Sequence, residues 1–156
     1  MKVVVFLLGF LSTVAFATEI KPAYDGTFEI IPKVMHREAI KGTITVLMSG
    51  EDLSSIQMTT EKEVFGKTEF SSSEQTKVES DSKEQLFFVY KLNGANHKWY
   101  FVLLANNLKN GSPFDATYFK VKESLEKITE QAKAGIDVEK LPANWKNIGH
   151  GQLVEL

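Results

Sequence analysis

Three histidines are the side chains of this sequence best suited to metal binding or proton transfer: His36, His97 and His150. If residues 36–38 are extended, His36 and Glu38 lie on one side of the chain, and either of the other histidines could complete a set of ligands. The spacing matches no His-x-His or His-Glu-x-x-His pattern. His36, Glu38, His97 and His150 are therefore candidate ligands only if the fold brings them together, and the sequence predicts neither a metal nor another cofactor.

A dense group of aromatic side chains lies between residues 87 and 101. Such side chains can form the wall of a pocket for an apolar small molecule or the packed core that a chain of this size needs. The core interpretation is favoured. The pocket interpretation gives five candidate ligand-binding residues: Phe88, Tyr90, His97, Trp99 and Phe101.

Nucleophilic catalysis has little support in the sequence. The chain has no cysteine, and no serine lies in the Gly-x-Ser-x-Gly pattern that exposes a nucleophile on a tight turn. Several serines cluster instead in the polar segment 71–83. No catalytic residue is predicted, and a non-enzymatic function is favoured.

The N-terminal segment is typical of a secretory signal peptide. Lys2 supplies a positive charge, residues 3–10 are an apolar run, and Ala15-x-Ala17 is a small-residue cleavage site. The apolar run is shorter than the roughly 20 residues of a membrane-spanning helix, and no second long run follows. We therefore predict cleavage after Ala17, a single β-rich domain over residues 18–156, and no membrane span after cleavage.

Composition restricts the possible partners and the compartment. The 156 residues carry 18 Lys+Arg against 20 Asp+Glu, a formal net charge of -2, which lacks the basic field of a general nucleic-acid binder. Small secreted domains often depend on disulfides, whereas this chain has no cysteine. Secretion without disulfides fits the bacterial periplasm or exterior best.

The first half of the domain reads as short strands. Residues 18–26 are predicted to lead into the fold, and strands are predicted over 27–31 and 42–50. Residues 51–65 fit a helix or a strand, and the strand is favoured because the segment is rich in β-formers. The polar segment 71–83 is predicted to be a mobile loop, with 76–79 as an alternative short edge strand.

The clearest predicted element is a hairpin in which Asn93-Gly94 joins residues 85–92 to 95–104. Asn-Gly favours a two-residue type I′ turn, which would place Phe88 opposite Trp99 and Tyr90 opposite His97. The face with Leu86, Phe88 and Tyr90 is predicted to be the core. The other face is still apolar at the end far from the turn, so another element should cover it.

A strand over 114–121 and a helix near 122–134 follow, with Gly135 just beyond the helix. In the tail, Gly149-His150-Gly151 is predicted to separate two short segments. Sequential strands with one late helix predict a mainly β (β or α+β) fold: an antiparallel meander or a small barrel or sandwich with one C-terminal helix. This order resembles secreted ligand-binding barrels of the lipocalin type, but no Gly-x-Trp lies on the first strand, so no family is assigned.

These features predict a secreted or periplasmic, non-enzymatic binding protein. Its partner would be an apolar small molecule held by the sheet or a protein docked at the loops. A small secreted hydrolase, with or without a metal, is one alternative. An envelope structural or assembly factor is another.

Overall fold

The computed structural model describes residues 18–32 and 38–156. Within them, the chain forms a closed barrel in which each strand is antiparallel to the next and the last pairs with the first. Its strands are β1 (Ile20–Ile30), β2 (Ile40–Ser49), β3 (Asp52–Val64), β4 (Lys67–Glu79), β5 (Gln85–Leu92), β6 (Tyr100–Asn106), β7 (Phe114–Val121) and β8 (Trp145–Glu155). A short 3-10 helix (Leu108–Asn110) and the helix α1 (Leu125–Ala134) complete these elements. The predicted mainly β, antiparallel fold with a late helix is confirmed, and it is a barrel.

Alternate side chains of each strand point into the barrel. Most of those inward positions are apolar, except in β4, where Gln75 and Lys77 lie opposite the inward Tyr90 and Phe88. The buried interior consists of Phe28, Ile44, Val46, Met48, Ile56, Met58, Leu86, Phe88, Tyr90, Leu103, Ala105, Phe114, Ala116, Tyr118 and Leu153. The face of β5 that the sequence assigned to the core, with Leu86, Phe88 and Tyr90, is among them. Favouring a strand over residues 51–65 was also correct, because β3 occupies most of that segment.

A second core lies outside the barrel, between α1 and the outward faces of β5, β6 and β7. The helix begins after Ser124, whose hydroxyl accepts a hydrogen bond from the Lys127 N–H at 3.2 Å. Ile128 and Ala132 are fully buried against the barrel wall. The expected cover for the second face of the hairpin is therefore α1. No helix within residues 18–32 and 38–156 is both long and apolar enough to cross a membrane.

The buried amide of Gln85 fastens the chain that returns from α1 to the barrel. Its Nε2 donates to the Ile136 carbonyl oxygen at 2.8 Å and to Asn106 Oδ1 at 3.2 Å. Its Oε1 accepts from the Ile136 N–H at 2.9 Å. One side chain thus satisfies both backbone groups of a buried residue that belongs to no strand.

The closure of the barrel depends on Gly149 and Gly151, which were predicted to separate two short segments of the tail. Gly149 and Gly151 lie within β8, where they pair with β1. A Cβ at Gly151 would overlap the Thr27 carbonyl oxygen, and one at Gly149 would overlap that of Glu29. The glycines therefore allow β8 to approach β1 closely, and β8 is one continuous strand.

The β5–β6 hairpin differs in register from the prediction. Phe88 lies opposite Leu103 and Tyr90 opposite Phe101, so the pairing is shifted by four residues. Gly94 has φ 77°, but Asn93 is not at positive φ, and the Ala95 N–H donates to the Leu92 carbonyl. This matches a type II turn, whose twist splays the strands, and residues 95–99 form a loop before pairing begins.

The predicted loop over 71–83 is wrong for residues 71–79, because β4 continues to Glu79. The alternative strand over 76–79 is part of β4, although in the closed barrel it is not at an edge. Regular β3–β4 pairing stops at Gln57 and Ser71. Beyond that point Ser72 Oγ accepts the Ile56 N–H at 2.8 Å, and Gln75 Nε2 donates to the Ser54 carbonyl at 2.8 Å. Polar side chains here replace backbone bonds, which explains a strand with so few apolar residues.

Residues 18–26 are also more ordered than the predicted leader. β1 begins at Ile20 and passes through Pro22, next to an irregularity in its pairing with β2. A bulge tolerates proline because no ladder N–H is needed there.

Candidate functional site

One end of the barrel, which we call the mouth, is formed by the end of β1, the start of β2, the β3–β4 turn and the β5–β6 loop. A cavity of about 540 Å³ opens there, within the roughly 300–1,000 Å³ typical of small-molecule sites. Its lining is mostly apolar: Phe28, Ile30, Ile40, Met58, Thr60, Val64, Phe65, Lys67, Phe70, Leu92, Asn93, Gly94, Ala95, His97, Trp99 and Phe101. The mouth cavity is therefore the candidate site for an apolar molecule.

The five candidate ligand-binding residues occupy two levels. His97, Trp99 and Phe101 line the mouth cavity. Phe88 and Tyr90 lie deeper, fully buried in the barrel interior. The structure thus places the first three beside open space and the other two in the packed core.

Four of these rings make a continuous series from the surface to the interior. His97 stacks on Trp99 with ring centroids 3.6 Å apart, and Trp99 meets Phe101 edge-on at 4.6 Å. Phe101 in turn stacks on Tyr90 at 5.5 Å. Because each ring is supported by the next, this wall of the cavity is held in place by the core.

His97 is oriented by a hydrogen bond and is uncharged near neutral pH. Its Nδ1 lies 2.9 Å from the Trp99 carbonyl oxygen, and since a carbonyl only accepts, Nδ1 carries the hydrogen. Burial lowers the pKa of the imidazole, and the positive charges of Lys91 and Lys120 lower it further. The neutral ring therefore carries its hydrogen on Nδ1, which makes Nε2 a hydrogen-bond acceptor.

Two phenols, those of Tyr90 and Tyr118, lie in the buried interior beneath the cavity. The Tyr90 hydroxyl donates to the Met58 sulfur at 3.3 Å, and Met58 also lines the cavity. The buried Tyr118 hydroxyl has no hydrogen-bond partner among the described residues. Burial raises the pKa of both hydroxyls, so both remain protonated donors under an otherwise apolar floor.

The candidate metal ligands are not assembled into one centre by the described residues. His150 projects from the outer face of β8, with its Nε2 3.9 Å from Glu29 Oε2. Glu38 is paired with Lys62, whose hydrogen bond lowers the pKa of the carboxyl, and His97 lies at the mouth. His36 falls outside the described residues. Within residues 18–32 and 38–156, no group of three His, Asp or Glu side chains is placed to hold a metal ion.

The sequence did not identify the part of the lining that comes from the first four strands. Phe28, Ile30, Ile40 and Phe70 are far from the β5–β6 hairpin in the chain and meet it only through closure of the barrel. Phe28 and Ile30 lie in the strand predicted over 27–31, but the sequence does not indicate their position at an open end of a barrel.

No protein-family profile, characterised protein or solved structure matches this chain.

Proposed function

We propose that this protein is a secreted, non-enzymatic carrier that holds an apolar small molecule in the mouth cavity. The observation that carries the proposal is a cavity of about 540 Å³ whose described lining has only one charged side chain, Lys67. Water gains few hydrogen bonds there, so an apolar molecule displaces it at low cost. A cavity of this size suits a small molecule, whereas a docked protein would need a broad surface of about 800 Å² on each partner.

The proposed affinity follows from ligand size. At about 0.3 kcal/mol per non-hydrogen atom, a ligand of about 20 such atoms gains about 6 kcal/mol, a Kd of about 40 µM. Each further methylene that fits inside adds about 0.8 kcal/mol, or about fourfold in affinity. Affinity should therefore rise with chain length until the cavity is full and then stop rising.

The two tryptophans of the chain provide an internal reporter and an internal control. Trp99 lines the cavity, whereas Trp145 is buried under α1 with its Nε1 bonded to Gln131 at 2.9 Å. The uncharged fluorophore N-phenyl-1-naphthylamine reports binding by its own emission, because it accepts energy from both tryptophans. The non-absorbing ligand 1-dodecanol should change the emission of Trp145→Phe, in which Trp99 remains. It should leave the emission of Trp99→Phe unchanged.

A blocking variant tests the location independently. Ala95 lines the cavity, so Ala95→Phe should fill space there and weaken binding of the fluorophore at least tenfold. Ala143→Phe, at an exposed loop position, is the matched control and should bind normally. Folded protein that binds no uncharged fluorophore, or binds it equally well in both variants, would overturn the proposal.

Secretion is tested separately through residues 1–17. The full chain expressed in a bacterium should be exported, and the exported protein should begin at Thr18. Ala15→Leu combined with Ala17→Leu should leave the unprocessed precursor. A wild-type chain that stays in the cytoplasm with its N-terminus intact would contradict this part of the proposal.

A further inference from the structure

We infer that the ligand is an anionic amphiphile, with its apolar tail in the mouth cavity and its head group in a lysine-lined groove beside it. This inference rests on the proposed function and adds the chemical class of the ligand. It comes from a second feature of the mouth, on the outer side of Trp99.

The lysine groove has a volume of about 690 Å³ and is lined by Lys91, Lys98, Trp99, Tyr100, Lys122, Glu123 and Ser124. Lys91 Nζ lies 4.6 Å from the centre of the Tyr100 ring. Outside the lining, Lys120 Nζ lies 4.6 Å from the centre of the Trp99 ring. Four ammonium-bearing side chains therefore surround these two aromatic rings.

These lysines lack acidic partners. None of the four forms an ion pair with another residue in 18–32 or 38–156. Two carboxylates lie nearby and keep their charge: Glu123 accepts from Asn144 at 2.7 Å, and Glu74 accepts from the Tyr100 hydroxyl at 2.8 Å. Against the four lysines they leave the groove with a net positive charge. A cluster of unpaired cations in a chain of net charge -2 attracts an anion of low charge.

Trp99 joins the groove to the cavity, because it lines both. On the cavity side the ring contacts Phe101, and on the other side Lys120 lies over it. One molecule can therefore pass the Trp99 edge with its tail among apolar side chains and its charge among the lysines. The observed juxtaposition fits a single-tailed amphiphile with one carboxylate, sulfonate or phosphate group.

The test compares two probes that differ only in the head group, dodecanoate and 1-dodecanol. Each is used at pH 8, below its aggregation limit, to displace bound N-phenyl-1-naphthylamine. The wild type should bind dodecanoate about tenfold more tightly than dodecanol, and the difference should shrink at high salt. The double variant Lys98→Gln, Lys122→Gln should lose about three- to tenfold for dodecanoate, on the scale of exposed ion pairs, and nothing for dodecanol.

The matched control is Lys133→Gln with Lys140→Gln, which removes the same charge from two exposed positions outside the groove. It should leave the affinity for dodecanoate within twofold of wild type. Equal binding of the two probes, or equal losses in both double variants, would overturn the inference while leaving the carrier proposal intact. Failure of the uncharged fluorophore itself to bind would overturn the carrier proposal, and this inference with it.

Discussion

The buried amide of Gln85 allows a quantitative test of how the outer layer is fastened to the barrel. Gln85→Leu keeps a similar volume but removes the bonds to both backbone groups of Ile136. Ile136 is itself buried, so water cannot replace these bonds without opening the structure. At about 1–3 kcal/mol for each buried group left unpaired, we expect the free energy of unfolding to fall by about 2–5 kcal/mol.

Urea unfolding measures this loss directly. With a slope of about 2 kcal/mol per molar for a domain of this size, the midpoint should fall by about 1–2.5 M. Gln152→Leu, at an exposed position of β8, is the control and should change the midpoint little. The amide of Ile136 should also exchange with deuterium faster in Gln85→Leu, because its acceptor is gone.

Gln85→Glu separates hydrogen bonding from side-chain volume. One oxygen can still accept the Ile136 N–H, but the other faces the Ile136 carbonyl and Asn106 Oδ1, two acceptors. Their repulsion should raise the pKa of the introduced carboxyl above its usual value of about 4.3. The protonated form restores the donor, so stability is present below the unfolded-state pKa and is lost as pH rises through the folded-state pKa. A loss in Gln85→Leu no larger than in the control, or a Gln85→Glu deficit that grows on acidification, would refute this account.

Three further predictions test the closure and electrostatics of the barrel. Gly151→Ala should lower the free energy of unfolding by several times the roughly 0.5 kcal/mol of a neutral surface change, because the alanine Cβ would overlap the Thr27 carbonyl oxygen. A lower urea midpoint would show this loss. Burial raises the pKa of all four tyrosines, that of Tyr100 to about 12. The free energy of unfolding should therefore fall as pH rises above about 10, because the tyrosines of the unfolded chain ionise first. Phenolate absorbance at 295 nm that appears well before unfolding would contradict this. The imidazole of His97 should titrate by NMR with a pKa below 6.5. Lys120→Gln should raise that pKa, because it removes a nearby positive charge. An unchanged pKa would mean that the charge of Lys120 does not act on His97.

The inward and outward faces of β5 could be predicted from the sequence, although the register of its pairing with β6 could not. Alternation in β5 assigned Leu86, Phe88 and Tyr90 to the core. The observed register differs from the predicted one by four residues. A shift by an even number of residues leaves each side chain on the same face of the sheet, so the assignment was unaffected. The register itself depended on the conformation of Asn93. The Asn-Gly pair favours a type I′ turn locally, but the chain adopts a wider loop that brings His97 and Trp99 to the mouth.

Polar strands were unpredictable for a related reason. Sequence alternation reports which side chains are buried, whereas closure of a barrel requires only that the backbone of each strand finds partners on both sides. Ser72 and Gln75 bond to the backbone of β3 where the regular ladder ends. A segment that looks like a solvated loop can therefore be a strand that is fixed by its side chains.

The candidate site combines aromatic side chains that the sequence could indicate with a cavity that only closure of the barrel creates. The aromatic side chains of one hairpin suggested a ligand wall, and three of the five line the cavity. Space beside them exists because the β5–β6 loop and the β3–β4 turn extend past the packed interior, while Phe28 and Met58 form the floor. The same loop places Lys98 on the outer side of Trp99. A tighter two-residue turn would have placed Trp99 opposite Phe88 within the sheet. Neither the cavity wall nor the lysine groove would then have formed. The splayed turn is therefore the local feature on which the proposed ligand site depends.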